Sequence, residues 1–327
     1  MKLLRRTFLQ LSGAAAAVPT FSRVATAQGY PSRPITMIVP APAGGPLDVI
    51  GRILAEPMRG TLGQPVIIEN VSGADGSIGT GRAARARPDG YTIVLGFLGG
   101  NVLNGVFYSL PYDVLNDFAP ISPLAATPLV LFARKTMPAK DLNELIRWLK
   151  ANPNSKASAG VASVERRLVA AFFQKETGTQ FALVPYRGTA PAMQDLVAGQ
   201  IDLLIDTLIQ LPLVRAGDIK AFAVTSDARL ALAPDIPTFA EMGLPALSYS
   251  QWFGLFAPRG TPTEVIGRLH LAAVEALANR AARSRLVELG LEIFPRDQQT
   301  PEALGALVKA GAEKWWPIIK ECGIKAE

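Results

Sequence analysis

The stretch Ile35-Thr36-Met37-Ile38-Val39-Pro40-Ala41-Pro42-Ala43-Gly44-Gly45-Pro46-Leu47-Asp48 decides the fold class. Its first five residues are β-branched except for Met37 and show no polar alternation, the pattern of a strand buried on both faces of a parallel sheet. The prolines and glycines that follow break the strand. From Leu47 to about Arg59 the apolar spacing becomes helical. A buried strand, a Pro/Gly loop and a helix make the opening unit of an α/β layer.

The same alternation continues outward. Strands are expected at Val66–Glu69 and Tyr91–Leu95, the latter after the turn Pro88-Asp89-Gly90, with a short helix near Ile78–Ala86 between them. A strand at Leu129–Ala133 and a helix at Asp141–Ala151 follow. A second βα series starts at Ser155: a strand to Gly160, a helix at Ser163–Thr177 and a strand at Phe181–Val184. It closes with a helix at Pro191–Ala198 and strands at Ile201–Asp206 and Ile219–Val224. The tail adds a strand at Gly254–Phe256, helices at Thr263–Ala278 and Ala282–Glu288, and a last helix from Pro301. With 327 residues and 49% hydrophobic content, the chain can bury two cores. Two βα series with a tail returning to the first imply two lobes, a hinge and a cleft.

The loop Pro40–Asp48 is the sharpest local feature. Gly44 and Gly45 permit close backbone approach, and the helix that follows points unpaired N–H groups and its positive end at the loop. That suits a carboxylate at the carboxyl end of a strand. Asp48 fits either as a cap of the turn or as an acceptor for a ligand ammonium or water. Two further helix starts lie in the second series, at Gly160-Val161-Ala162-Ser163 and at Tyr186-Arg187-Gly188-Thr189-Ala190-Pro191. Asp202 and Asp206 share a strand face by their even spacing, as a carboxylate pair or as solvated strand ends. Gly79-x-Gly81-x-x-Ala84 is a loose dinucleotide-like echo read as a tight connection, and no phosphate-binding loop ending in Gly-Lys-Ser/Thr occurs.

The amino terminus reads as an address. Lys2, Arg5 and Arg6 precede a short Ala-rich apolar run and Ala25-Thr26-Ala27, so residues 1–27 are expected to be a removed export signal. Leu4-Arg5-Arg6-Thr7-Phe8-Leu9-Gln10 looks like a twin-arginine signal, departing from the usual pattern at Leu4 and Gln10. This segment holds four basic residues and no acid, so without it the net charge falls from +6 to +2. A nucleic-acid partner therefore loses its electrostatic support. Cys322 and His270 are single residues of their kinds, which precludes an internal disulfide or a His-rich zinc site and leaves a Ser-His-Asp triad only His270. No metal, no cofactor and no catalytic residue are expected.

Several motifs form an ordered set across the whole chain after the leader. They are Tyr30-Pro31-x-Arg33-Pro34-Ile35, Pro42-Ala43-Gly44-Gly45-x-x-Asp48, Gly63-Gln64-Pro65-Val66, Glu69-Asn70 and Pro88-Asp89-Gly90-Tyr91-Thr92. Then come Val184-Pro185-Tyr186-Arg187-Gly188, Ala198-Gly199-Gln200-Ile201-Asp202, Pro237-Thr238-x-x-Glu241-x-Gly243, Ala257-Pro258-x-Gly260-Thr261-Pro262 and Lys314-Trp315. Together they resemble the substrate-binding receptors of tripartite tricarboxylate transporters, the Bug proteins. The resemblance implies a two-lobed α/β periplasmic binding protein of the Venus-flytrap type, each lobe a mostly parallel sheet flanked by helices, with two crossover strands at the hinge. Lobe 1 would comprise residues 28–128 and 226–327, and lobe 2 residues 129–225.

The resemblance further implies a monomeric receptor that binds a small carboxylate and presents it to membrane permease subunits. A sensor kinase is the alternative partner, and an exported enzyme is the weaker reading. The expected ligand-binding set is Ala43, Gly44, Gly45, Asp48, Asn101, Ala162, Ser163, Arg166, Thr189 and Asp206. The family's Gly-x-Gly-Ser-x-x-His segment reads Gly160-Val161-Ala162-Ser163-Val164-Glu165-Arg166 in this chain, so Ala162 and Arg166 stand where a glycine and a histidine are usual. Arg166 would place a fixed charge near the cleft, favouring a second acidic group on the ligand, or would be a surface residue paired with Glu165.

Overall fold

The computed structural model describes residues 29–153, 157–321 and 323. The export-signal expectation and Cys322 lie outside the described residues. β1 (Ile35–Val39) runs parallel to β2 (Val66–Asn70) on one side and to β3 (Thr92–Phe97) on the other. Its burial on both faces explains its unbroken apolar run. The helix Pro46–Leu62 follows the Pro/Gly loop, with Pro46 in its first turn, where a missing N–H costs nothing. The sheet continues from β3 to β9 (Ser250–Pro258), antiparallel, and from β9 to β4 (Phe118–Arg134), again antiparallel.

β4 is the element that makes two sheets of one chain. Residues from Phe118 to Pro128 pair with β9, whereas from Leu129 onward the strand pairs with β7 (Leu203–Thr207) and β8 (Ile219–Val224). The second sheet is completed by β5 (Ser158–Val161), parallel to β7 and to β6 (Ala182–Pro185). A short β10 (Glu292–Ile293) lies against β4 in the first sheet. The expected strands at Leu129–Ala133 and Gly254–Phe256 are thus the cores of longer ones. Pro120, Pro123 and Pro128 obscured the first half of β4 because proline cannot donate to a ladder. The register shifts between Pro120 and Ser122 and between Pro123 and Ala125, local irregularities of the kind that let a strand carry proline.

The chain crosses between the sheets a second time in residues 225–249, and one side chain ties both crossings together. Thr225 Oγ1 accepts from Leu129 N at 2.8 Å and donates to Tyr249 O at 2.6 Å, while Tyr249 N donates to Thr225 O at 2.8 Å. Thr225 is buried. The helix Pro301–Glu321 packs across the same junction: Leu304 lies against Gly254 of β9, and Trp315 makes edge contacts with Phe172 and Tyr249. Among the described residues, no helix is long and apolar enough to cross a membrane.

Candidate functional site

β1, β2 and β3 of the first sheet and β5 of the second end on one cavity of about 410 Å³, within the range of small-molecule sites. The first sheet contributes Pro40, Ala41 and Pro42 after β1, Ser72, Gly73, Asp75 and Gly76 after β2, and Phe97, Gly99, Leu103 and Asn104 at and after β3. The second contributes Ser163, Val164 and Glu165 after β5. A crevice at the carboxyl ends of strands is where α/β sheets bind ligands, because the loops and helix N-termini converge there. Among the described residues, no cluster of three or more His, Cys, Asp or Glu side chains is arranged to hold a metal ion.

The Pro40–Asp48 loop is fixed from beneath by Asp48. Its Oδ2 accepts from Gly44 N at 2.8 Å and Arg52 Nε at 2.9 Å, and its Oδ1 accepts from Asn70 Nδ2 at 3.0 Å. Asn70 Nδ2 also reaches Ala41 O at 3.2 Å, so one side chain ties the carboxylate to the loop. The Arg52 guanidinium holds the Asp48 carboxyl below the usual carboxylate range against the opposing effect of burial, with Gly44 and Asn70 assisting. Asp48 therefore caps and positions the loop. Gly44 takes a left-handed backbone (φ +79°), the conformation for which a glycine is suited.

In the second lobe, Ser163 caps the helix Val164–Thr177, its Oγ accepting from Arg166 N at 3.3 Å. Glu165 is buried and faces the cavity. Its Oε2 accepts from Arg166 Nη1 at 3.0 Å, and its Oε1 accepts from the hydroxyl of Tyr249. Arg166 Nη2 donates to Asp206 Oδ1 at 3.3 Å, and Gln210 Nε2 donates to Asp206 Oδ2 at 3.3 Å. A single guanidinium thus serves two buried carboxylates. Desolvation pushes Glu165 up to about 7; Arg166 opposes the shift, and Asp75 and Asp206 add to it. Arg166 stays charged because these carboxylates outweigh its own burial.

Of the expected ligand-binding residues, Ser163 lines the cavity directly. Arg166 stands one contact behind its walls, through Glu165; Asp206 stands two behind, through Arg166, and Asp48 two behind, through Asn70 and Ala41, while Ala43, Gly44 and Gly45 lie in the same loop as Pro40–Pro42. Ala162 precedes the Ser163 cap. Asn101 is fully buried behind β3, with Oδ1 accepting from Phe97 N at 3.2 Å and Nδ2 unpartnered. Thr189 begins the helix Thr189–Ala198, outside the lining residues. Asp202 and Asp206 form no pair: Asp202 accepts from Arg134 Nε at 2.8 Å and Ser158 N at 2.9 Å. Four residues of extended chain put their Cα atoms roughly 13 Å apart, Asp202 just before β7 and Asp206 near its end.

The sequence reading missed Asp75 and Glu165. Glu165 was visible only as a candidate partner of Arg166, and a carboxylate gives no sequence signal for facing a cavity. Asp75 sits in Gly73-Ala74-Asp75-Gly76, where all four residues have positive φ (123°, 46°, 48° and 87°). Its Oδ2 accepts from the Tyr108 hydroxyl at 2.8 Å, and its carbonyl accepts from Asn104 Nδ2 at 3.0 Å. The Gly-Ala-Asp-Gly run between a strand and a helix was the available signal.

Residues 50–324 match the family model described as tripartite tricarboxylate transporter family receptor. Protein BugT of Bordetella pertussis is 34% identical over 322 residues, covering 97% of this chain and 96% of its own. The solved structure of the periplasmic binding protein BugD is 36% identical, with a TM-score of 0.80 over 91% of this chain and 100% of its own. MatC from Rhodopseudomonas palustris, solved with bound malate, is 35% identical, with a TM-score of 0.79 over 89% of this chain and 100% of its own.

Proposed function

The chain belongs to the tripartite tricarboxylate transporter receptor family, and on that premise we propose that it is a periplasmic solute-binding receptor for a small carboxylate. It holds the ligand between two lobes, residues 28–128 with 226–327 and residues 129–225, and delivers it to a tripartite tricarboxylate-type permease. Binding shifts the population toward the closed form because the ligand touches both lobes. It carries out no chemistry on the ligand. Export through the twin-arginine route, followed by removal of residues 1–27, would place it in the periplasm.

One observation carries this reading: a single cavity is lined by loops after β1, β2 and β3 and by the capped helix start after β5. The helix N-termini supply N–H groups for an anion without a bound cofactor. The malate held by MatC supports the ligand class.

Thermal unfolding against a panel of mono-, di- and tricarboxylates and amino acids tests it. An acid present at 100 times its dissociation constant adds about 2.7 kcal/mol, a shift of a few degrees. The expected result is one class of acid that stabilises the protein, with the shift reduced by Asp48→Ala, which frees the loop. Stabilisation by no acid, or a shift that Asp48→Ala leaves untouched, would refute the reading.

A further inference from the structure

The charge lining the cavity is of one sign. Asp75 from the first lobe and Glu165 from the second are its charged lining residues, and no Lys, Arg or His is among them. Arg166, the cation behind Glu165, is already shared between Glu165 and Asp206. Asp75 bears on both Glu165 and Arg166, so the two acids sense each other across the cleft. Arg167 is felt at Tyr108, which holds Asp75, and it too lies outside the lining. Three carboxylates, Glu165, Asp206 and Asp75, thus bear on the Arg166 guanidinium at this end of the cavity.

The placement of Asp75 is constrained. Ala74 and Asp75 both take left-handed backbone, which non-glycine residues adopt only at a cost. Tyr108 and Asn104 fix the carboxylate and its carbonyl in that geometry. The other walls are largely apolar: Pro40, Pro42, Phe97, Leu103 and Val164. A ligand carboxylate can be served by backbone N–H groups at the helix starts. A second carboxylate at the Asp75–Glu165 end would meet like charge beside apolar walls, where screening is weak.

We propose that Asp75, together with Glu165, is a specificity-determining residue that turns this cleft toward acids with one carboxylate, an apolar body and a hydrogen-bond donor (ammonium or hydroxyl), and against dicarboxylates. The proposal rests on the cleft being the carboxylate site. It sets this chain apart from MatC, whose bound malate is a dicarboxylate. Asp75 acts by repelling a second anion and by accepting from the ligand's donor, whereas Arg166, bonded through Nη1 to Glu165 and through Nη2 to Asp206, positions Glu165.

Calorimetric titration of the purified protein with 3-phenylpropionate, leucine, phenylalanine, malate and adipate tests this, with Asp75→Asn and Asp75→Gly as variants. Glycine suits the left-handed backbone, so Asp75→Gly keeps the test open even if the amide disturbs the loop. In the wild type, a singly carboxylated acid is expected to bind at least about tenfold tighter than malate or adipate. Either variant is expected to move that ratio toward the dicarboxylates by about tenfold, or about 1.4 kcal/mol. A wild-type preference for malate or adipate, or a ratio unchanged in both variants, would overturn the proposal and leave the receptor reading standing. Binding of none of these acids, nor of any acid in the broader panel, would overturn both.

Discussion

Replacing Thr225 by valine keeps the shape of the side chain and removes the hydroxyl that joins the two interlobe crossings. In the native fold that hydroxyl accepts from Leu129 N at 2.8 Å and donates to Tyr249 O at 2.6 Å. Leu129 is fully buried and Tyr249 nearly so, so water cannot replace either bond. An orphaned buried donor or acceptor costs about 1–3 kcal/mol, and the strain is relieved in part by relaxation, so Thr225→Val should lose about 2–4 kcal/mol. Unfolding entropy for about 300 residues is roughly 0.6 kcal/mol per degree, which converts that loss to about 3–7 °C in Tm. Thr225→Ser keeps both bonds and loses only a methyl group, and should cost about 1 kcal/mol. Paired thermal melts at matched pH and salt make the comparison. If valine melts with the wild type, or if serine falls as far as valine, the hydroxyl does not hold the hinge and the reasoning fails.

Three other outcomes are expected. Asp48→Ala strips the loop of its bonds to Gly44, Arg52 and Asn70 and should cost about 1–3 kcal/mol in urea unfolding, with faster proteolysis near residues 41–45. Glu165, surrounded by Arg166, Asp206, Asp75 and Tyr249, has its folded pKa raised to about 7. The unfolded chain therefore sheds this proton first as pH rises through 4.5, and the stability contributed by the protonated form falls between about pH 4.5 and 7, by about 3 kcal/mol at most. Glu165→Gln should flatten that part of a Tm-against-pH curve, and an unchanged slope would reject the assignment. Gly79→Ala would bring a Cβ to 2.5 Å from Val71 O and about 3 Å from Pro40, both beside the cavity wall. It should destabilise by about 1–3 kcal/mol and weaken acid binding, whereas Gly267→Ala, where a Cβ meets nothing, should do neither.

How much of this was legible in the sequence depends on whether a residue's role is local. Ile35–Val39 and the Pro/Gly loop announce a buried strand and a helix start because the pattern, the breakers and the first-turn proline are all neighbours in the chain. Ser163 and Asp141 are readable as caps for the same reason. β4 was only half legible: its role in both sheets is set by β9, β7 and β8, more than 60 residues away, and its prolines argue locally against a strand. Asp202 and Asp206 show the opposite error. Their spacing puts them on one face, yet strand rise separates them, and Arg134 and Arg166, from different elements, give them different tasks.

The site was legible in outline and illegible in charge, for one physical reason. Helix starts at strand ends belong to the fold class, so the Pro40–Asp48 loop and Ser163 could be found without a structure. The electrostatics depend on who shares a guanidinium with whom. From the sequence alone, Arg166 was either a fixed charge near the cleft or a surface residue paired with Glu165. In the fold its two terminal nitrogens bond Glu165 and Asp206, its Nε is buried without a hydrogen-bond partner, and the charged groups lining the cavity are carboxylates. The same bonds tie the cleft to the hinge, since Tyr249 gives its hydroxyl to Glu165 and its backbone to Thr225. A charge introduced beside Glu165 therefore acts on a bonded series that reaches the point where the lobes join.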